Sequence, residues 1–337
     1  MSFPSLAAFE KALDDPRSPD REAEARARAR QAVLTKPAGS LGLLEEIAIF
    51  FAGWQGRERP RIDRGRAVIF AGNHGVTAHG VSAFPPSVTA QMVANFRAGG
   101  AAINALSEAA GLDLRIVALD LDRPTADFTV APAMNEEECL AALNAGAGAV
   151  AEDLDLLVLG EMGIGNSTAA AALAARSLGG TAGDWVGPGT GVDSKGVVRK
   201  ADVVTRALAV HASAPRSAFE TLRRVGGREI AAIAGAVLRA RQLGIPVLLD
   251  GFICCSAIAP LAADNPAITV HCLAGHCSAE PGHARLLRHL GLDPILSLGM
   301  RLGEGSGAAV AAGVVRAALA AHNGMATFDE AAVSAGL

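Results

Sequence analysis

The feature that most constrains this chain is an alternation. Short apolar runs that end at glycine or another turn residue recur between longer segments with helical spacing. The runs lie at 66–72 (RAVIFAG), 115–121 (RIVALDL), 154–160 (LDLLVLG), 245–251 (IPVLLDG), 268–275 (ITVHCLAG) and 294–300 (PILSLGM). They are short, mostly apolar and bounded by turn residues, so they read as strands buried on both faces. Between them, amphipathic or alanine-rich segments near 86–108, 136–152, 166–178, 195–212, 226–243 and 305–322 read as helices. Strand–helix alternation predicts an α/β fold with a parallel sheet covered by helices on both faces. Such sheets gather ligands at the carboxyl ends of their strands.

The first sixty residues carry helical spacing near 5–14, 21–34 and 41–54, with Pro37, Gly39 and Gly42 as breaks and ERPRID (58–63) as a polar boundary. Half of the 337 residues are hydrophobic, ample for two lobes or one large domain. Aromatics are only 4% and tyrosine is absent, which argues against base-stacking surfaces. The net charge is −4, and the arginines of RARARQ (26–31) alternate with alanine as on a solvated helix face. Nucleic-acid binding is therefore not expected. The segment MSFPSLAAFEKALDD lacks the basic and apolar regions of a signal peptide. Arg176, Asp250, Asp264 and Arg316 cut the uncharged runs below membrane-spanning length. Five cysteines suit a reducing compartment, so a cytoplasmic protein with no membrane partner is expected.

Glycine-rich polar loops at 70–88, 159–172, 187–200, 275–283 and 299–309 are where chemistry is expected. In GIGNSTAAAALAA (163–175), glycines permit close backbone approach and Asn166, Ser167 and Thr168 can cap a helix. The N–H groups there suit a phosphate, or the segment is simply a capped helix. Gly163-x-Gly165 is a fragment of the dinucleotide fingerprint, but Thr168 holds the third position and Asp184 does not end a strand. A Rossmann dinucleotide site is not expected. GPGTGVDSKG (187–196) lacks the ending of a Walker loop, yet it can form an anion nest that Lys200 would reach unless solvated.

Glu161 and Glu304 each follow a strand beside glycine, on loops predicted to converge. Two buried acids can divide acid–base work, since burial raises their pKa values; either alone is an ordinary loop acid, and Glu304 also suits a helix start. Cys254, Cys255, His271, Cys272, His276, Cys277 and His283 lack paired metal-ligand spacing. They read as core residues, with His74 and His79 as isolated loop histidines, and no metal is expected. No Gly-x-Ser-x-Gly elbow is present.

Six stretches in order carry a resemblance: KPAGSLGLLE (36–45), HGVSAFPPSVTAQMVANFRAGGAAI (79–103), GEMGIGNST (160–168), GPGTGVDSKGVVRK (187–200), GHCSAEPGH (275–283) and GMRLGEGSGAA (299–309). Together they resemble the nicotinate-nucleotide–dimethylbenzimidazole phosphoribosyltransferases of cobalamin biosynthesis. The resemblance implies transfer of phosphoribose from nicotinate mononucleotide to 5,6-dimethylbenzimidazole, with inversion at C1′. It implies a doubly wound domain over 62–300, a small helical domain from 1–61 and 301–337, and a homodimer without metal or cofactor. It makes Glu304 the general base, with Glu161 facing the ribose or assisting. Ser82, Phe84, Gln91 and Leu302 would hold the base. Gly163, Gly165, Asn166, Thr168, Gly189, Thr190, Gly191 and Lys200 would hold nucleotide and phosphate, with Ser278 near the nicotinate carboxylate. Asn73 and Phe84 depart from the frequent Asp and Tyr, which bears on base preference. The rivals are a non-catalytic nucleotide sensor on the same fold and a phosphoribosyltransferase with another acceptor or a pyrophosphate donor. The pyrophosphate class usually shows paired acids after a strand, absent here.

Overall fold

Six short strands carry the sheet in the computed structural model, which describes residues 2–14 and 16–334. They are β1 (Gly65–Ala71), β2 (Leu112–Ala118), β3 (Leu156–Met162), β4 (Val247–Leu249), β5 (Cys272–His276) and β6 (Pro294–Leu296). All pair in parallel, in the order β2-β1-β3-β4-β5-β6. The winding direction reverses at β1, so the carboxyl ends of β1 and β3 flank a topological switch point, the usual place for a ligand crevice.

Three helices precede the sheet: α1 (Leu6–Asp14), α2 (Arg21–Val33) and α3 (Leu43–Gln55). α4 (Ser87–Ala98) and α5 (Ala102–Ala109) link β1 to β2, and α6 (Glu136–Ala147) links β2 to β3. Between β3 and β4 come α7 (Asn166–Leu178), α8 (Ser194–Val210), α9 (Ala218–Val225) and α10 (Arg228–Leu243). α11 (Phe252–Asp264), α12 (Pro281–Leu290) and α13 (Ser306–Gly324) follow β4, β5 and β6.

Side chains alternate across each strand, and the two sets feed two cores. Val68, Phe70, Leu157, Leu159, Val247 and Leu249 enter one, beneath α6, α7, α10 and α11. Ala67, Ile69, Leu156, Val158 and Leu248 enter the other, with α3, α5 and α13. Full burial of such a side chain contributes about 1.5–3 kcal/mol, which explains why the strands read as unbroken apolar runs. Described parts of the segments 1–61 and 301–337 enter both layers. Phe3, Phe9 and Leu13 pack into the first core, where Phe9 meets Phe219 at 5.9 Å. α3 and α13 belong to the second, and α13 lies directly under the sheet.

Several boundaries differ from the sequence expectation. The run at 268–275 opens as a 3-10 helix, Pro266–His271, because Asn265 caps it and Pro266 fixes the first turn; the strand begins at Cys272. The long helix expected at 86–108 breaks at Gly99, whose φ is +83°. α9 and α12 were not anticipated: Ser217 caps the first, and Pro281 starts the second inside what reads as a loop.

α6 and α10 cross so closely that only glycine fits between them. A Cβ at Gly146 would lie 1.8 Å from the Ala232 carbonyl oxygen, and one at Gly235 2.0 Å from that of Leu143. Gly235→Ala is expected to destabilise the fold by about 3 kcal/mol through overpacking. Gly313→Ala, on α13 with open space around it, should instead stabilise by about 0.5–1 kcal/mol. Opposite signs in denaturant melts check both.

Candidate active site

Two turns at the carboxyl edge carry the acids. At the end of β3, Glu161 precedes the turn Gly163–Gly165, where Gly165 at φ +93° starts α7. After β6, Gly303, Glu304 and Gly305 stand in succession at φ +79°, +61° and +77° before α13. Glu304 is thus a non-glycine residue held in the left-handed region, at a cost of about 1–3 kcal/mol. The two turns touch. A Cβ at Gly303 would lie 2.6 Å from Glu161 Oε1, and one at Gly160 2.4 Å from the Gly305 nitrogen. Glycine at these positions lets the acids share one cavity of about 660 Å³.

Burial sets their chemistry. Both acids are over nine-tenths buried. Desolvation, reinforced by the charges of Asp250, Glu229 and Glu304, pushes Glu161 up to about 8 despite the hydrogen bond its Oε2 accepts from Asn166 Nδ2. Desolvation and Asp250 push Glu304 up to about 7. Near neutrality the pair can hold one proton while leaving an ionised acceptor, and it titrates as a unit.

The cavity walls divide by chemistry. Phe84 and Leu302, each about half exposed, face it with Val88 and Met92 of α4. Gly163, Asn166, Gly189, Thr190 and Ser278 supply the polar part of the lining. Ser278 is set by His283: its backbone nitrogen donates to His283 Nδ1 at 2.9 Å, while burial holds that imidazole down at about 4. The remaining predicted residues stand outside the lining. Ser82 Oγ lies 3.1 Å from Thr190 Oγ1, tying the 82–84 loop to the anion loop. Gln91 points to solvent, since Val88 and Met92 own the face of α4 turned to the cavity. Gly165 and Thr168 are buried in the α7 start, and Gly191 is exposed at φ +109°. Lys200 is buried beneath the 187–191 loop, its Nζ donating to Ser167 Oγ and the Gly187 carbonyl, each at 2.9 Å. Desolvation lowers it to about 8. Asn73 lies away from the cavity, where its Nδ2 donates to the Leu121 carbonyl at 2.9 Å.

Sequence reasoning missed four groups at this edge. Glu280 accepts from the Gly189 nitrogen at 3.0 Å, and Arg301 Nη1 donates to the Gly189 carbonyl at 3.3 Å, so both brace the anion loop. His276, read as core, lines the cavity. Asp250 sits behind it, just past β4. The signal for Asp250 was available: LLDGF (248–252) repeats the pattern of an acid beside glycine at a strand end. Among the described residues, no group of three or more His, Cys, Asp or Glu is arranged to hold a metal ion. No helix among them is long and apolar enough to cross a membrane.

A doubly wound sheet with a carboxylate pair and glycine-rich helix starts at one edge defines a class, and the comparisons agree on it. A family model described as phosphoribosyltransferase matches residues 17–333. The nicotinate-nucleotide–dimethylbenzimidazole phosphoribosyltransferase of Novosphingobium aromaticivorans is 72% identical over 335 residues, 99% of either chain. The protein of the same name from Cereibacter sphaeroides is 56% identical over 334 residues, again 99% of either. The crystal structure of CobT from Thermus thermophilus superposes with a TM-score of 0.88 at 44% identity, covering 94% of this chain and all of that one. The chain belongs to the nicotinate-nucleotide–dimethylbenzimidazole phosphoribosyltransferase family.

Proposed function

We propose that the chain transfers the phosphoribosyl group of nicotinate mononucleotide to 5,6-dimethylbenzimidazole. The products are α-ribazole 5′-phosphate, with C1′ inverted, and nicotinate, in the lower-ligand branch of cobalamin biosynthesis. The observation that carries this reading is the meeting of Glu161 and Glu304 in one cavity, between an apolar jaw and a glycine-rich anion side.

The walls match the two substrates. Phe84, Leu302, Val88 and Met92 offer flat apolar contact to a benzimidazole. The α7 start, whose Asn166 and Ser167 line the cavity, offers the positive end of a helix to a phosphate, while the 187–191 loop is braced internally by Glu280 on the Gly189 nitrogen and by Lys200, which fastens it to Ser167. The lone-pair nitrogen of the benzimidazole attacks C1′ on the face opposite nicotinate. The C1′–N bond breaks with its electron pair returning to the pyridine ring, which leaves neutral and needs no acid. Glu304 takes the N–H proton of the incoming base, a role that typically contributes about 10²–10⁴-fold. Glu161, protonated near neutrality, orients the sugar beside it. Fixing both substrates in line contributes more, through effective molarity. The displacement is redox-neutral and calls for no electron carrier. The homodimer and the cytoplasmic setting belong to the same proposal, and sedimentation measures the first.

The test mixes the purified chain with nicotinate mononucleotide and follows nicotinate by chromatography, without added metal. Release that requires dimethylbenzimidazole, with an α-ribazole 5′-phosphate product, is expected. Tight nucleotide binding without release would instead favour a sensor.

A further inference from the structure

We propose that Asp250 is a positioning residue for Glu304: its buried carboxylate ties down the left-handed 303–305 turn and sets a fixed negative charge behind both cavity acids. The inference rests on the reading of Glu304 as proton acceptor. Asp250 is 1% exposed and does not line the cavity. Its Oδ2 accepts from the Gly305 nitrogen at 3.2 Å and its Oδ1 from the Ala308 nitrogen at 2.9 Å. Both donors belong to the α13 start, so a carboxylate from the end of β4 performs the capping that no side chain of the turn itself supplies. Glu304 is the residue immediately before the first of those donors. Holding Gly305 therefore fixes where the strained Glu304 backbone aims its side chain.

The remaining neighbours pack around this carboxylate. His276 Nε2 stands 3.5 Å from Asp250 Oδ1, and the His276 ring fills the space where a Cβ at Gly307 would sit, 2.1 Å from its Cδ2. Thus β4, β5 and α13 meet at one carboxylate. The cavity that Glu304 lines also receives Glu161 from β3, His276 from β5, Glu280 from the α12 start and Arg301 from the loop of Glu304 itself. The His74–Glu229 pair, 2.5 Å apart, lies behind the Gly163 turn, and Lys200 lies beneath the 187–191 loop. Among these, Asp250 is the acid that contributes to raising both Glu161 and Glu304, after desolvation.

The test is the pH dependence of kcat for Asp250→Asn and Asp250→Ser, beside the unaltered protein and Glu304→Gln. Asparagine keeps one accepting oxygen in place without the charge, and the shorter serine removes the charge and draws back from both nitrogens. Loss of the charge is expected to move the acid limb down by about one pH unit. At pH 8, kcat should fall about tenfold for loss of aim, with KM for both substrates within about threefold. A merely structural role would leave the limb in place, and a folded Asp250 variant with an unmoved limb overturns the proposal. If Glu304→Gln keeps its turnover, the proton-acceptor reading fails instead. If neither Asp250 variant folds, His276→Leu is measured. It leaves Asp250 less compensated and should move the limb up, and an unmoved limb there also overturns the proposal.

Discussion

Glu304→Gln is expected to cut turnover by about 10²–10⁴-fold at pH 8 while nicotinate mononucleotide and dimethylbenzimidazole bind as before. The substitution keeps side-chain volume and the left-handed backbone, whose φ of +61° glutamine tolerates no worse than glutamate. It removes only the group that accepts the proton. The unaltered protein should gain activity as pH rises through about 7, because burial and Asp250 hold Glu304 protonated below that. That limb belongs to the Glu161–Glu304 pair rather than to one residue. Steady-state rates together with calorimetric binding of each substrate check this. Wild-type turnover in the variant would remove Glu304 from the chemistry.

Glu161→Gln should stabilise the fold while damaging the reaction. The folded carboxyl is pushed up to about 8, well above an exposed glutamate, chiefly by desolvation. A raised carboxyl favours the native state fully below its unfolded pKa, and that advantage is lost as pH rises through the folded value. The unaltered protein should therefore lose stability from about pH 5 to pH 9. The glutamine variant should lose less, keeping only the share of Glu304, which burial likewise pushes up, and it retains an oxygen for Asn166 Nδ2. The expected gap at pH 9 is about 1–3 kcal/mol in favour of the variant, shrinking toward zero near pH 5. Urea melts at the two pH values measure it, alongside a turnover loss at pH 8. A variant less stable than its parent at pH 9 would show that Glu161 is not held against its own ionisation.

What the sequence made legible was whatever local chemistry decides. Strands buried on both faces leave an unbroken apolar signature, so β1 and β3 were readable within a few residues. Glycine at the turns marked where backbone and side chains crowd, and this located Glu161 and Glu304 together. What failed depended on partners distant in the chain. Asp250 and His276 look like core residues until α13 is placed against β4 and β5. Gln91 and Met92 are adjacent, and only the rotation of α4 decides which faces the cavity. The β-branched run Ile268–Val270 has strand propensity, yet the Asn265–Pro266 start winds it into a 3-10 turn. Lys200 was readable as a cation near the anion loop, but its position beneath that loop was not.

Part of the apolar jaw, Val88 and Met92 on α4, stands on a different element from the proton acceptor at the head of α13, although Leu302 shares the loop of Glu304. Drift in the α4 side chains can therefore retune which heterocycle fits without disturbing deprotonation. A lineage meeting a new supply of aromatic bases has an adaptive route of one or two substitutions through a single helix, leaving the reactive centre inherited intact.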